Sequence, residues 1–254
     1  MVERDLNTAN RTQLQAEFSR AAAGFSERTK GRFDDMDVLS FARFRPFETV
    51  VEVGAGTGNF LALFAEASLR LGIDAVPEMS AQARATHPDQ LAAVADGRCL
   101  PLASDSFDLV ACAQMLHHVH RPLEILEEMK RVMRPSGRLL VIDQVASERF
   151  EEAVAMNELD LLRDPSHASS RPASAFRILF NSVGLSVVDE RRWEGSQRLS
   201  QWMWPGEFPD ERMRRVRDFI VNRGGETGMG WLPEGDDWVY TRRRIMLLAT
   251  KDLD

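Results

Sequence analysis

The spacing of apolar residues changes period several times along the chain, and each change marks a predicted element. Residues 7–45 place Leu14, Phe18, Phe25, Phe33, Leu39, Phe41 and Phe44 among charges, a helical spacing closed by Pro46. Residues 49–53 are a β-branched run broken only by Glu52, and Gly54-Ala55-Gly56-Thr57-Gly58 follows at once. Residues 60–71, rich in Leu and Ala, read as a helix. The alternation then repeats. Residues 71–73 form a short strand ending at Asp74, 77–86 a helix, 91–94 a strand ending at Asp96, and 107–113 an apolar strand. An amphipathic helix over 123–132 is stopped by Pro135 and Gly137, and 138–142 is the next strand.

The second half is less regular. Helices are predicted over 150–162 and 173–183, the latter stopped by Gly184, with a polar loop over 164–172 between them. Residues 185–188 read as a strand that continues toward Trp193, and 238–250 as a final strand. Residues 199–235, with Trp202, Trp204 and Trp231, show no period that assigns them. The βαβα rhythm predicts an α/β fold with a mostly parallel sheet and helices on both faces.

Composition narrows the partners. The 254 residues are 44% hydrophobic and 28% charged, enough for a full core in one domain. No stretch reaches the ~18 apolar residues of a membrane helix. The polar start over 1–10 does not read as a signal peptide. A net charge of −7 argues against a general nucleic-acid binder, and the arginine runs at 191–192, 214–215 and 242–244 read as solvated faces. Cys99 and Cys112 have no metal-like spacing; both read as small core residues in a reducing, cytoplasmic compartment. No metal site is expected.

The strand–glycine turn–helix around Gly54, Gly56 and Gly58 is the strongest chemical signal. Glycines let backbone approach a ligand, and the N–H groups of a following helix would suit an anion. A dinucleotide-binding fingerprint needs a glycine where Asn59 stands, and a phosphate-binding P-loop needs a Gly-Lys-Ser/Thr end that is absent. Acids close successive strands at Glu52, Asp74 and Asp96. Asp74, about twenty residues past the turn, suits ribose hydroxyls, although alone it reads equally as a helix cap.

With these motifs the chain resembles the class I methyltransferases that use S-adenosylmethionine (SAM), and within them the ubiquinone/menaquinone C-methyltransferase-like group. The matching stretches are residues 50–60 (VVEVGAGTGNF), 71–79 (LGIDAVPEM), 95–99 (ADGRC) and 106–143, which opens SFDLVACAQMLHHVH. The likeness spans about residues 45–144. It implies a Rossmann-like seven-stranded, mostly parallel sheet with a terminal antiparallel strand pair and a helical cap. A single methyltransferase domain over 1–254 would divide into a helical cap (1–45), a SAM-binding core (46–144), and substrate-lid helices with C-terminal strands (145–254). By resemblance, Glu52, Gly54, Gly56 and Gly58 shape the pocket for the methionine part of SAM. Asp74 holds the ribose, and Ala75 and Met79 lie near adenine or ribose, Met79 equally reading as core. Asp96 and Gly97 meet the adenine edge, and Gln114 sits beside the methionine part. Where the family often carries a tyrosine in its N-terminal helices, this chain has Phe25, so that hydroxyl is missing.

The expected reaction is in-line methyl transfer to a small, aromatic or quinone-like acceptor, without a protein nucleophile. His118 and His167 are the candidate bases or substrate contacts. Each is weighed against a structural role: loop packing for the Leu116–His120 run, and a loop role for His167 in Arg163-Asp164-Pro165-Ser166-His167. Phe25, Phe33, Trp202 and Trp204 would offer a flat apolar surface. The competing readings are a nicotinamide-dependent oxidoreductase, disfavoured by Asn59, and a non-catalytic SAM-binding protein, disfavoured by the retained Asp74 and glycines. A nucleic-acid methyltransferase is disfavoured by acidity and by Gln114-Met115-Leu116-His117 where a base-flipping loop would stand. The sequence leaves the oligomeric state open, a homodimer being one option.

Overall fold

A computed structural model describes residues 2–203 and 210–252. In chain order the elements are α1 (Val2–Thr29), α2 (Val38–Phe41), β1 (Thr49–Val53), β2 (Leu69–Asp74), α3 (Pro77–Thr86), β3 (Leu91–Val94), β4 (Phe107–Ala113) and α4 (Pro122–Val132). There follow β5 (Met133–Gln144), α5 (Phe150–Arg163), α6 (Ala173–Ser182), β6 (Leu185–Arg198), α7 (Leu199–Trp202), α8 (Asp210–Arg223), β7 (Leu232–Glu234) and β8 (Asp237–Lys251). The sheet order is β3-β2-β1-β4-β5-β8-β6, parallel from β3 to β5, with β8 antiparallel to both β5 and β6. This is the Rossmann-like sheet with a terminal antiparallel pair that the sequence implies; short β7 adds an eighth strand by pairing with the start of β8.

Both faces of the central strands are buried, which explains their near-continuous apolar runs. Val51, Val110, Cys112, Leu139 and Val141 pack under α4 and α6, through Leu126, Met129, Phe176 and Phe180. The alternate residues Val50, Leu109, Ala111, Leu140 and Ile142 pack against Phe41, Leu61 and Phe64 on the other face. A satellite core joins Leu159 of α5, Val216 and Ile220 of α8, and the rings of Trp202, Trp231 and Tyr240. Trp202 stands 5.6 Å from Trp231 and 5.4 Å from Tyr240, so its ring is core rather than a flat acceptor surface. Trp204 lies outside the described residues.

Four expectations are corrected. The helix over 7–45 ends at Thr29: Gly31 turns left-handed at φ +71°, and Asp37 and Arg43 also adopt positive φ around the single turn of α2. The helix over 60–71 shrinks to one 3₁₀ turn, Leu61–Phe64. The loop before β1 claims the backbone beyond it, because Phe47 N–H donates to Glu66 O and Ser68 N–H to Glu48 O. The strand predicted over 138–142 begins at Met133, so Pro135 and Gly137 lie within the β5 span. Cys112 is core as expected, whereas Cys99 is exposed.

One buried ion pair fastens these layers. Arg138 of β5 reaches Glu48 at 2.5 Å and donates to the Ala42 carbonyl at 3.0 Å, tying the end of α2 to the sheet edge. Glu48→Met would strand that guanidinium in the interior. The expected cost is about 3 kcal/mol in urea unfolding, with part recovered in the Glu48→Met/Arg138→Met double variant.

Candidate active site

The strand order reverses between β1 and β4, where the chain crosses from β3 to the other half of the sheet. Open α/β sheets form a crevice at the carboxyl ends of strands at such a point. A cavity opens there, walled by Glu52 to Thr57, Asp74 to Val76, Asp96 to Arg98, Gln114 and Met115, and His118 to Arg121. Phe18, Phe25, Arg32 and Phe33, from α1 and the turns after it, close its other side.

The glycine turn is held from beneath. Gly54 and Ala55 N–H both donate to Ile73 O, and Gly56 N–H donates to Asp74 Oδ2 at 2.8 Å. Asp74 Oδ1 accepts from Val76 N–H at 2.9 Å, so one carboxylate fixes both the turn and the entry to α3. Gly54 sits at φ +75°, and a Cβ there would collide with Met115 Cγ. Gly58 does not line the cavity: its missing Cβ makes room for Gln90 Oε1. The proposed anion site at a helix start is corrected as well. A one-turn 3₁₀ segment follows the turn, and its glycine N–H groups are spent inside the protein.

Asn59, which the sequence reading used only as an argument against dinucleotides, has a positive role. Its Nδ2 donates to Ser26 O at 2.6 Å and Thr29 Oγ1 at 2.8 Å, and Oδ1 meets His87 Nε2 at 2.9 Å. It pins the end of α1 over the turn. Nothing local in the sequence marks it, because its partners lie 30 and more positions away on α1.

Of the expected cofactor residues, Glu52, Gly54, Gly56, Asp74, Ala75, Asp96, Gly97 and Gln114 come together on the cavity wall. Met79 does not; it is fully buried against Ala21, Ala22 and Val76, where α3 packs on α1. Burial, and then Asp74, push the Glu52 carboxyl well above its ordinary range. Its Oε2 is buried without a hydrogen-bond partner. Burial also raises Asp74, against the backbone N–H groups of Val76, Gly56 and Ala75. Asp96 is the opposite case: Arg98 grips it through Nε at 3.0 Å and Nη2 at 2.7 Å and holds it below the carboxylate range. Gln114, directly after β4, adopts a left-handed backbone at φ +56°, a strained state that gathers at functional positions. Its Oε1 accepts from Arg242 at 2.6 Å, and its Nε2 is buried and unpartnered.

The segment predicted as a polar loop over 164–172 has no exposed residue, with Asp164, Ser166, His167 and Ser170 buried and the rest half-buried. It docks on the 116–119 turn, with Ala168 and Ser169 N–H donating to His117 O and Arg171 donating to the Leu116 and Val119 carbonyls. Behind it lies a polar layer. His117 Nδ1 meets Asp143 at 2.5 Å, and burial keeps the ring neutral. His167 lies in this layer, off the cavity, 2.8 Å from Asn157 Oδ1, with burial holding it down to about 3. A base needs reach to substrate, and His167 stands off the cavity wall among buried partners, the setting of the structural role weighed against it. His118 is placed differently. Its ring lines the cavity edge-on to Phe18, at 5.1 Å. Its Nδ1 lies 3.2 Å from Ser166 O and 3.1 Å from Ser166 Oγ, whose own proton goes to Asp164 Oδ1. Both neighbours accept, so Nδ1 carries the hydrogen, which in the neutral ring leaves the lone pair on Nε2.

Comparison with known proteins now fits this geometry. Residues 51–141 match the family described as a methyltransferase domain. YcgJ of Bacillus subtilis, named an uncharacterized methyltransferase, is 27% identical over 187 residues, 70% of this chain and 73% of that protein. The chain belongs to the class I SAM-dependent methyltransferase family. The YcgJ crystal structure superposes with a TM-score of 0.79 at 23% identity, covering 85% of this methyltransferase and 97% of YcgJ. A demethylmenaquinone methyltransferase of Renibacterium salmoninarum is 28% identical over 179 residues, 69% of this chain and 73% of its own length. YafE of Escherichia coli is 31% identical over 152 residues, 60% and 73% of the two chains.

The buried layer predicts an unusual pH response. Burial raises Asp160 to about 6 in the folded protein, from 3.8. The folded state therefore holds a proton that the unfolded chain releases, so this group costs stability as pH rises from about 4 to 7. Asp160→Asn removes the titration. Relative to wild type, the variant should gain about 1 kcal/mol between pH 5 and pH 7.5 in calorimetric unfolding.

Proposed function

We propose that this enzyme binds SAM in the cavity at the β1–β4 edge and methylates a small acceptor held under α1. The observation that carries the reading is a set of buried, unpartnered polar atoms on that wall: Glu52 Oε2, Thr57 Oγ1 and Gln114 Nε2. Buried polar groups without partners are costly, so such a set points to a ligand that completes it. A raised carboxyl at Glu52, with no cation acting on it among the described residues, favours a ligand that carries positive charge, as SAM does on its sulfonium and ammonium. At Gly56, held at φ +54°, a Cβ would stand 3.5 Å from the Phe25 ring, so the bare backbone and that ring bound the cavity together. In this reading Asp74 and Ala75 receive the ribose, Asp96 and Gly97 the adenine edge, and Glu52, Gly54, Gly56 and Gln114 the methionine part.

Bound SAM supplies an activated methyl group, so the protein's task is alignment and exclusion of water. Asp74 and the turn it holds keep the donor side fixed. His118 Nε2 takes a proton from an acceptor O–H, N–H or acidic C–H. Phe18, Phe25 and Phe33 give an aromatic wall that suits an aromatic or quinone-like ring, in keeping with the name of the Renibacterium relative. The division into cap (1–45), cofactor core (46–144) and lid with C-terminal strands (145–254) belongs to the same proposal. A cytoplasmic location rests on Cys99 and Cys112, both free thiols.

Calorimetric titration with S-adenosylhomocysteine, with NADH as control, tests the cofactor. Binding of the first and not the second is expected; NADH binding alone would overturn the reading. Asp74→Ala should weaken S-adenosylhomocysteine by about 1.5–3 kcal/mol, the worth of a charge-assisted hydrogen bond. Once an acceptor is in hand, His118→Ala should lower turnover by about 10²-fold or more and flatten the acid limb of the rate profile. His167→Ala should leave that limb in place and lower the unfolding midpoint.

A further inference from the structure

A second cavity adjoins the first. It holds about 530 Å³ and is walled by Arg28 and Arg32, by Ser196 and Gln197 of β6, and by Arg242 and Arg244 of β8. No carboxylate lines it among the described residues. The arginine run at 242–244, which by sequence reads as a solvated face, is thus split: Arg243 pairs outward with Glu194, and its two neighbours turn inward.

The hydrogen bonds of these inward guanidiniums go to neutral groups. Arg242 donates to Gln114 Oε1, and Arg244 donates to the Arg32 carbonyl at 3.1 Å. Arg242 Nε is buried with no partner. Burial, then Arg242 and Arg244, bring Arg32 down to about 9, with only Tyr240 acting the other way. Two carboxylates outside the cavity lining act on the group, Asp35 on Arg244 and Asp160 on Arg242. Like charges gathered in a half-buried cavity repel one another and are poorly solvated. An oxyanion, with its acceptor-only oxygens, relieves both costs, and a guanidinium fork matches it.

Two features connect this cavity to the reaction. Arg32 lines both cavities. Gln114, on the cofactor wall, is bonded to Arg242 on the basic wall. We infer that the basic cavity is the acceptor's anion subsite, so that the methyl acceptor is a small organic acid, its carboxylate or phosphate held by Arg32, Arg242 and Arg244. This rests on the methyltransferase reading and names its substrate class. The ring lies against Phe25 and Phe33, and its charged end reaches past Arg32. The cavity is large enough for such a group, within the usual range of small-molecule sites.

Calorimetry on protein saturated with S-adenosylhomocysteine tests the inference, using benzoate, phenyl phosphate and neutral benzamide as probes. At least one anion should bind about ten-fold more tightly than benzamide, as a charge-assisted contact requires. The tighter of the two anions identifies the headgroup. In Arg32→Met and Arg244→Met, each checked for a native circular dichroism spectrum, that anion should weaken about ten-fold. Benzamide binding as tightly as both anions, or a folded variant binding them like wild type, would overturn the inference; the wild-type comparison stands even if a variant does not fold. Failure of S-adenosylhomocysteine to bind would instead sink the cofactor reading, so the two failures are told apart.

Discussion

The clasp made by Asp74 is the constraint on which the rest of the site depends. One carboxylate takes the Gly56 N–H with one oxygen and the Val76 N–H with the other, while Ile73 O takes Gly54 and Ala55. A glycine turn is conformationally permissive and loses much entropy on folding. Fastened to the neighbouring strand end, it becomes a fixed wall. Gly54 then lets Met115 pack directly on the backbone, and Asn59 locks the end of α1 across the top. The cavity is the space left between a clamped turn and a pinned helix.

The same economy appears behind the 116–118 turn. The loop after α5 is polar, yet none of its residues is exposed, because its groups find partners on β5, α5 and the histidine turn. Its effect reaches the cavity through His118, whose tautomer is set by Ser166. His167 and His117 share that layer and face inward, so three histidines close in space have different chemistry. Position relative to the cavity separates them, not residue type.

Charge is unevenly placed around the cavity. Glu52, Asp74 and Asp96, the last paired with Arg98, stand at the ends of β1–β3, and Arg32, Arg242 and Arg244 gather at the basic cavity beside β8. Gln114 lies between, strained at φ +56°, with one end on Arg242 and the other buried toward the turn. A donor carrying positive charge and an acceptor carrying negative charge would each meet the complementary wall. Such an arrangement would align the two partners without a protein nucleophile, leaving His118 only a proton to take.

Local chemistry made much of this legible in the sequence. The β-branched runs, the glycine turn and the strand-ending acids Glu52, Asp74 and Asp96 are local signals, and they determined the succession of elements along the chain, the sheet class and most of the residues that line the cavity. Where the determinants lie far apart in sequence, the pattern was silent. The helix expected over 60–71 yielded to backbone partners at Phe47 and Glu48. Met79 had the same local setting as its neighbours but faced α1 rather than the cavity. Gly58 served a side chain at position 90. Trp202 found its rings at 231 and 240. The basic cavity joins Arg32 to Arg244, 212 positions away, and only tertiary structure could bring them together. Periodicity encodes which face of an element is apolar; it carries no record of which distant side chain that face or its edge will meet.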